Sequence, residues 1–120
     1  MAGTPDHPIT VKPNPNRIKV TFAGRVVADT TKALTLQEAN YPPVVYVPRA
    51  DLDMNLLTRT TNSSHCPYKG DASYYSINAG GRTAENAIWS YEKPLADMAE
   101  IAGYVAFYPN RVDAIEQTPQ

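Results

Sequence analysis

The chain of 120 residues holds a single cysteine, Cys66, and two histidines, His7 and His65. One thiol excludes an internal disulfide and the paired-cysteine zinc sites of ribbons and knuckles, and the composition fits a reducing compartment. With no compact carboxylate–histidine cluster, the sequence argues for no metal and no cofactor. No apolar run approaches the ~20 residues that a helix needs to cross a bilayer. The first residues, MAGTPDHPIT, hold neither the basic start nor the apolar stretch of a secretory signal. A large excess of either charge is missing as well. Eleven Lys+Arg against twelve Asp+Glu leave a net charge of -1, which argues against a nucleic-acid binder and offers no polybasic tract for anionic membranes. There is no Gly-x-x-x-x-Gly-Lys phosphate loop. These absences predict a soluble, cytoplasmic protein whose partner is a small molecule; they are silent on its oligomeric state.

What is present suits one domain. A chain of this size buries roughly two-thirds of the surface it exposes when unfolded, enough for a core without cross-links. Pro5, Pro8, Pro13 and Pro15 crowd residues 1–16, so an extended N-terminal arm is expected there. Residues 17–115 are expected to form a single β domain, followed by a polar tail over residues 116–120.

Within that domain the pattern has period two. Ile18, Val20 and Phe22 alternate with polar residues, Ala23-Gly24 supplies a turn, and Arg25-Val26-Val27-Ala28-Asp29 follows, a hairpin signal. Leu34 and Leu36 share one face of a third segment, and Val44-Val45-Tyr46-Val47 forms another, stopped at Pro48. Asp51 is placed to cap a short helix over residues 51–57, residues 58–64 read as a polar loop, and residues 72–78, 87–91 and 104–108 read as strands. A second short helix is expected over residues 95–101, opened by Pro94. The fold class is therefore mainly β: a compact antiparallel domain, wrapped or built of two packed sheets, with one or two short helices.

Several groups have chemistry to offer. Cys66 reads either as a nucleophile or redox thiol activated by His65 or Lys69, or as a small buried packing residue. Lys69-Gly70 reads either as a point charge for an anion or as an exposed lysine in a turn. Tyr46, Tyr74, Tyr75, Trp89, Tyr91, Tyr104, Phe107 and Tyr108 all fall on predicted strands. Trp89 and Tyr91 share a parity, and Tyr74 and Tyr75 face opposite ways. Such rings line a cavity or form a tyrosine-rich core. Asp51-x-Asp53 fits a helix cap better than a Mg²⁺ pair. Ser63-Ser64-His65 lacks the elbow that frames a nucleophilic serine.

The segments Phe22-Ala23-Gly24-Arg25-Val26-Val27-Ala28-Asp29-Thr30, Pro42-Pro43-Val44-Val45-Tyr46-Val47-Pro48-Arg49-Ala50-Asp51, Cys66-Pro67-Tyr68-Lys69-Gly70-Asp71-Ala72-Ser73-Tyr74-Tyr75, Ala87-Ile88-Trp89-Ser90-Tyr91 and Gly103-Tyr104-Val105-Ala106-Phe107-Tyr108 occur in that order. Together they resemble a small, mainly bacterial domain-of-unknown-function family that carries a nucleotidyltransferase-like label. The resemblance covers about residues 17–113. It implies a fold similar to the β-tent of methionine-R-sulfoxide reductases and some zinc-binding chaperone-like domains. Those relatives hold zinc with two Cys-x-x-Cys pairs, which the lone Cys66 does not reproduce, and the Gly-Ser and carboxylate pair of nucleotidyl transfer is absent. What the resembling segments combine is aromatic and polar groups. The expectation drawn from them is a pocket of Tyr46, Arg49, Cys66, Lys69, Trp89 and Tyr91 for a small anionic or planar ligand. Two alternatives stand beside it: a thiol-dependent enzyme using Cys66 and Lys69, and a protein-interaction module using a sheet edge or the N-terminal arm.

Overall fold

The computed structural model describes residues 2–120. Eleven strands in the described residues make two antiparallel sheets. In chain order they are β1 (Ala2–Thr4), β2 (His7–Pro13), β3 (Arg17–Phe22), β4 (Arg25–Thr30), β5 (Leu34–Glu38), β6 (Val44–Pro48), β7 (Leu57–Cys66), β8 (Gly70–Ala79), β9 (Arg82–Ser90), β10 (Tyr104–Phe107) and β11 (Ala114–Thr118). The larger sheet is curled and runs β1-β2-β5-β6-β10-β9-β8-β7; the smaller runs β11-β3-β4. The expected mainly β class holds. Its helical part consists of short 3-10 turns, at Arg49–Asp51, Met54–Leu56, Ala96–Ile101 and Pro109–Arg111.

The curled sheet is buried on both faces, and that arrangement positions everything that follows. Its strands send successive residues into two separate cores. The small sheet packs Ile18, Val20, Phe22 and Val27 against Val47, Tyr75, Ile77, Ile88, Val105 and Phe107. The opposite face gathers Ile9, Leu36, Tyr46, Ala72, Tyr74, Tyr91, Met98, Ile101 and Ala106, with Cys66, Tyr68, Trp89 and Tyr108 partly buried against them. Strict alternation explains the split: Tyr46 and Val47, Tyr74 and Tyr75, and Ile88 and Trp89 are neighbours in sequence on opposite faces. Each fully buried Ile or Val contributes about 1.5–3 kcal/mol by leaving water.

Five expectations are corrected. The predicted N-terminal arm is sheet instead: β2 pairs with β5 from Ile9↔Glu38 to Pro13↔Leu34, and Ile9 is 1% exposed. Its prolines lose a donor but keep an acceptor, and the Pro8 carbonyl accepts from Ala39 N at 2.8 Å. The predicted tail is partly β11, whose Glu116, Gln117 and Thr118 pair with β3. The predicted polar loop over residues 58–64 lies in β7, an outer strand whose residues are mostly exposed and need no apolar face. Asp51 does not cap a helix over residues 51–57. It accepts from the Thr30 hydroxyl at 2.6 Å, and Asp53 caps the Met54–Leu56 turn by accepting from Asn55 N. The helix expected over residues 95–101 is a kinked 3-10 segment with Met98 out of helical geometry.

Candidate functional site

Two places hold the groups singled out by the sequence, one on each face of the curled sheet. On the face that carries Tyr46, the structure gathers Tyr46, Cys66, Trp89 and Tyr91 in one core. Lys69 joins them with its ammonium 5.5 Å from the centre of the Tyr91 ring. Arg49 does not join. It lies on the other side, where its Nη1 donates to the Tyr75 hydroxyl at 3.0 Å and its Nη2 to Glu92 Oε2 at 2.8 Å. Tyr75 donates to the same carboxylate at 2.7 Å, and Arg59 reaches its other oxygen at 3.1 Å. Five of the six expected residues therefore share a neighbourhood, and Arg49 belongs to a separate ion network.

The turn between β7 and β8 fixes Lys69. Lys69 N donates to the Cys66 carbonyl at 3.2 Å, and Leu95 N donates to the Lys69 carbonyl at 2.9 Å. Gly70 follows at φ +114, where a Cβ would stand 3.3 Å from Leu95 N. The Lys69 side chain, 12% exposed, then ion-pairs with Glu38, 17% exposed. His7 meets the same carboxylate, its Nε2 2.7 Å from Glu38 Oε2. Burial pushes the Glu38 carboxyl up, but the hydrogen bonds and charges of Lys69 and His7 outweigh it and hold it below the ordinary range. Glu38 is thus the shared anion of a Lys69–Glu38–His7 cluster that the sequence reading missed. A signal was present: Glu38 has the parity of Leu34 and Leu36, and His7 that of Ile9 and Val11. A charged residue at an apolar parity is a marked position.

Behind this cluster the tyrosines are kept neutral. Burial raises Tyr46 well above the usual phenol value, with the Glu38 charge adding to it and the Trp89 hydrogen bond working against it. Burial does the same for Tyr91. The Trp89 indole N–H donates to the Tyr46 hydroxyl at 3.2 Å, and Trp89 packs against Tyr108 with ring centres 4.5 Å apart. His65, expected as one activator of Cys66, points away and pairs with exposed Asp71 at 2.7 Å.

Open space lies on the other side of Trp89. The ladder between β6 and β10 has only two pairs, Tyr104↔Pro48 and Val105↔Val47. Beyond it Val45 and Phe107 line a cavity of ≈ 530 Å³. Ile18, Val20, Val44, Val47 and Trp89 line it too, together with Tyr41 and the prolines at 42, 43 and 109, and Gln117 contributes a polar group. The volume falls within the range that takes small organic ligands. Among the described residues no cluster of three or more His, Cys, Asp or Glu side chains is arranged to hold a metal ion, and no helix is long and apolar enough to cross a membrane.

Fold and site together define a small antiparallel β domain with a tryptophan-walled apolar cavity and a part-buried ion cluster. The chain belongs to the family described as Domain of unknown function (DUF427), whose profile matches residues 10–118. No curated protein matches it.

Proposed function

We infer that the domain binds a small, planar, mainly apolar molecule in the cavity walled by Trp89. The observation that carries this reading is the parting of β6 from β10, which leaves ligand-sized space lined by Val44, Val45, Phe107 and Trp89. Packed cores rarely keep voids larger than a water. The Tyr46 hydroxyl holds the indole by its N–H, so one ring orientation is set before a ligand arrives, which lowers the cost of binding. Of the two ligand chemistries expected from the sequence, the planar one fits this space. The anionic one lacks a partner there, because neither Lys69 nor Arg49 lines the cavity and each is already paired with a carboxylate, Glu38 and Glu92.

Trp89 is the only tryptophan in the chain, so no second indole contributes to the fluorescence of this wall of the cavity. Titration with quinoline and 1-naphthoic acid is expected to quench it saturably, with quinoline the tighter of the two. Val45→Phe, which fills the space, is expected to abolish quenching while the circular dichroism spectrum stays native. Saturable quenching unchanged in Val45→Phe, or none in the parent, overturns the reading.

A second reading is supported by the placement of Cys66. The thiol is half-buried in the same core as Tyr46 and Tyr91, one tight turn from Lys69. A thiol-dependent reaction there would use Lys69 as the proton-handling group. Iodoacetamide labelling of Cys66 that is no faster than that of a denatured control, and unaltered by Lys69→Met, would remove this alternative.

A further inference from the structure

The His7 side chain is held in the way a recognition site holds a ligand. Its ring stacks on Tyr68, with centres 4.2 Å apart and planes 12° from parallel. Tyr41 meets it edge-on, centres 6.2 Å apart at 61°. Glu38, held as a carboxylate, accepts the Nε2–H at 2.7 Å. Lys69 occupies the other oxygen of that carboxylate, so the acceptor is fixed in position. A flat ring between an aromatic face and an aromatic edge, with one N–H aimed at a prearranged carboxylate, is a general design for binding a nitrogen heterocycle. A shallow open hollow of ≈ 320 Å³, lined by His7, Ala39, Asn40 and Tyr41, leads to the ring from solvent.

The element that delivers His7 is a short hairpin at one edge of the large sheet, anchored at its start by buried Ala2. β1 is its outermost strand and has three residues, paired only with β2. The hairpin depends on Gly3 at φ +77, where a Cβ would collide with the His7 carbonyl at 2.1 Å. The His7 amide is tied to the Thr4 hydroxyl at 3.1 Å. β2 becomes firmly paired to β5 from Ile9 onward. The family profile also begins at residue 10. Tyr41, Tyr68, Glu38 and Lys69 lie inside the matched span, and His7 lies before it. The receiving groups and the occupant thus come from different parts of the chain, and a short edge hairpin opens at lower free energy than the sheet it joins.

We propose that Tyr68, Tyr41 and Glu38 form a binding site for a planar, N–H-bearing nitrogen heterocycle, and that His7 fills it as an intramolecular competitor. The incoming ring takes the stack on Tyr68 and donates to Glu38, while residues 2–7 swing out and Pro8, held by Ala39 N, stays in place. This site meets the Trp89 cavity at Tyr41, which lines both, and the proposal does not depend on that cavity being occupied.

Benzimidazole is a suitable probe, and the full chain is the form to test. Saturating benzimidazole is expected to increase hydrogen exchange at the amides of Thr4 and His7 by tenfold or more, leaving those of β8 unchanged. His7→Ala removes the competitor and is expected to bind benzimidazole at least tenfold more tightly than the parent. Glu38→Gln and Tyr68→Leu, each combined with His7→Ala, are expected to lose that gain. N-methylbenzimidazole, which has no N–H, is expected to bind more weakly to His7→Ala by a similar factor. Equal affinity of the parent and His7→Ala overturns the proposal. So does quenching of Trp89 with no change in exchange at Thr4 and His7, which would place the probe in the Trp89 cavity and leave the reading of that cavity standing.

Discussion

The indole N–H of Trp89 donates to the hydroxyl of Tyr46, 43 positions earlier in the chain, across a 3.2 Å gap. The bond ties β9 to β6 across the intervening β10, and it orients the one ring shared by the aromatic core and the open cavity. Tyr46→Phe keeps the ring and deletes the acceptor. The expected result is a loss of about 1 kcal/mol in unfolding free energy, together with a shift of the Trp89 emission maximum as the indole becomes free to reorient. Urea denaturation followed by fluorescence measures both at once.

Acid should destabilise the fold through its shared carboxylates. Glu38 and Glu92 both sit below their ordinary value of 4.5: burial raises each, and the hydrogen bonds and charges around it outweigh that. A depressed carboxyl contributes stability that is fully present above its unfolded value and disappears as pH falls through the folded one. The melting temperature is therefore expected to stay level near neutrality and to drop from about pH 4.5 downward. Glu38→Gln should lower the neutral-pH value and flatten the acid limb, and a parent curve that is flat to pH 3 contradicts the assignment.

At the alkaline end the sign reverses. Burial raises Tyr46, Tyr91 and Tyr108 above their ordinary value of 10.0. Folding favours their neutral forms, so this contribution is whole below that value and is lost as pH climbs past it. In a spectrophotometric titration the phenols of Tyr46, Tyr91 and Tyr108 should ionise late, together with the collapse of near-ultraviolet circular dichroism.

Gly70 is the backbone hinge of the Lys69 turn. At φ +114 an L side chain is strained, and a Cβ would press on Pro94 Cα at 3.4 Å and Leu95 N at 3.3 Å. Gly70→Ala is expected to cost about 1–3 kcal/mol. Gly81→Ala, at φ +74 with nothing within 4 Å, should cost less. Equal melting temperatures for the two variants would show that crowding at the Lys69 turn carries no energy.

The strands with one apolar parity were legible in the sequence. Ile18, Val20 and Phe22, then Leu34 and Leu36, announced β3 and β5 because each buries alternate residues. β7 was not legible, since Thr58, Arg59, Thr61, Asn62, Ser63 and Ser64 are exposed and an outer strand can be polar throughout. β2 was hidden by Pro8 and Pro13, whose weight as strand breakers depends on which neighbour needs the missing donor. At the site, strand parity put Trp89 and Tyr91 on one face, and Tyr46, expected there from the resembling segments, lies in the same core. Arg49 went astray because Pro48 ends the strand and the following turn resets the direction of its side chain. His7 and Glu38 carried a readable mark, a polar group at an apolar parity, which the expectation of an arm obscured.

Because β8 and β9 serve two interiors at once, their reading frame is under double constraint. Adding one residue between Ala72 and Ile77 would send the phenol of Tyr74 toward the small sheet and the neighbouring phenol the opposite way, spoiling both compartments in a single step. Adding two would restore the parity and shift only the lengthwise match. Length variants of this hairpin should therefore be tolerated in even steps and rejected in odd ones.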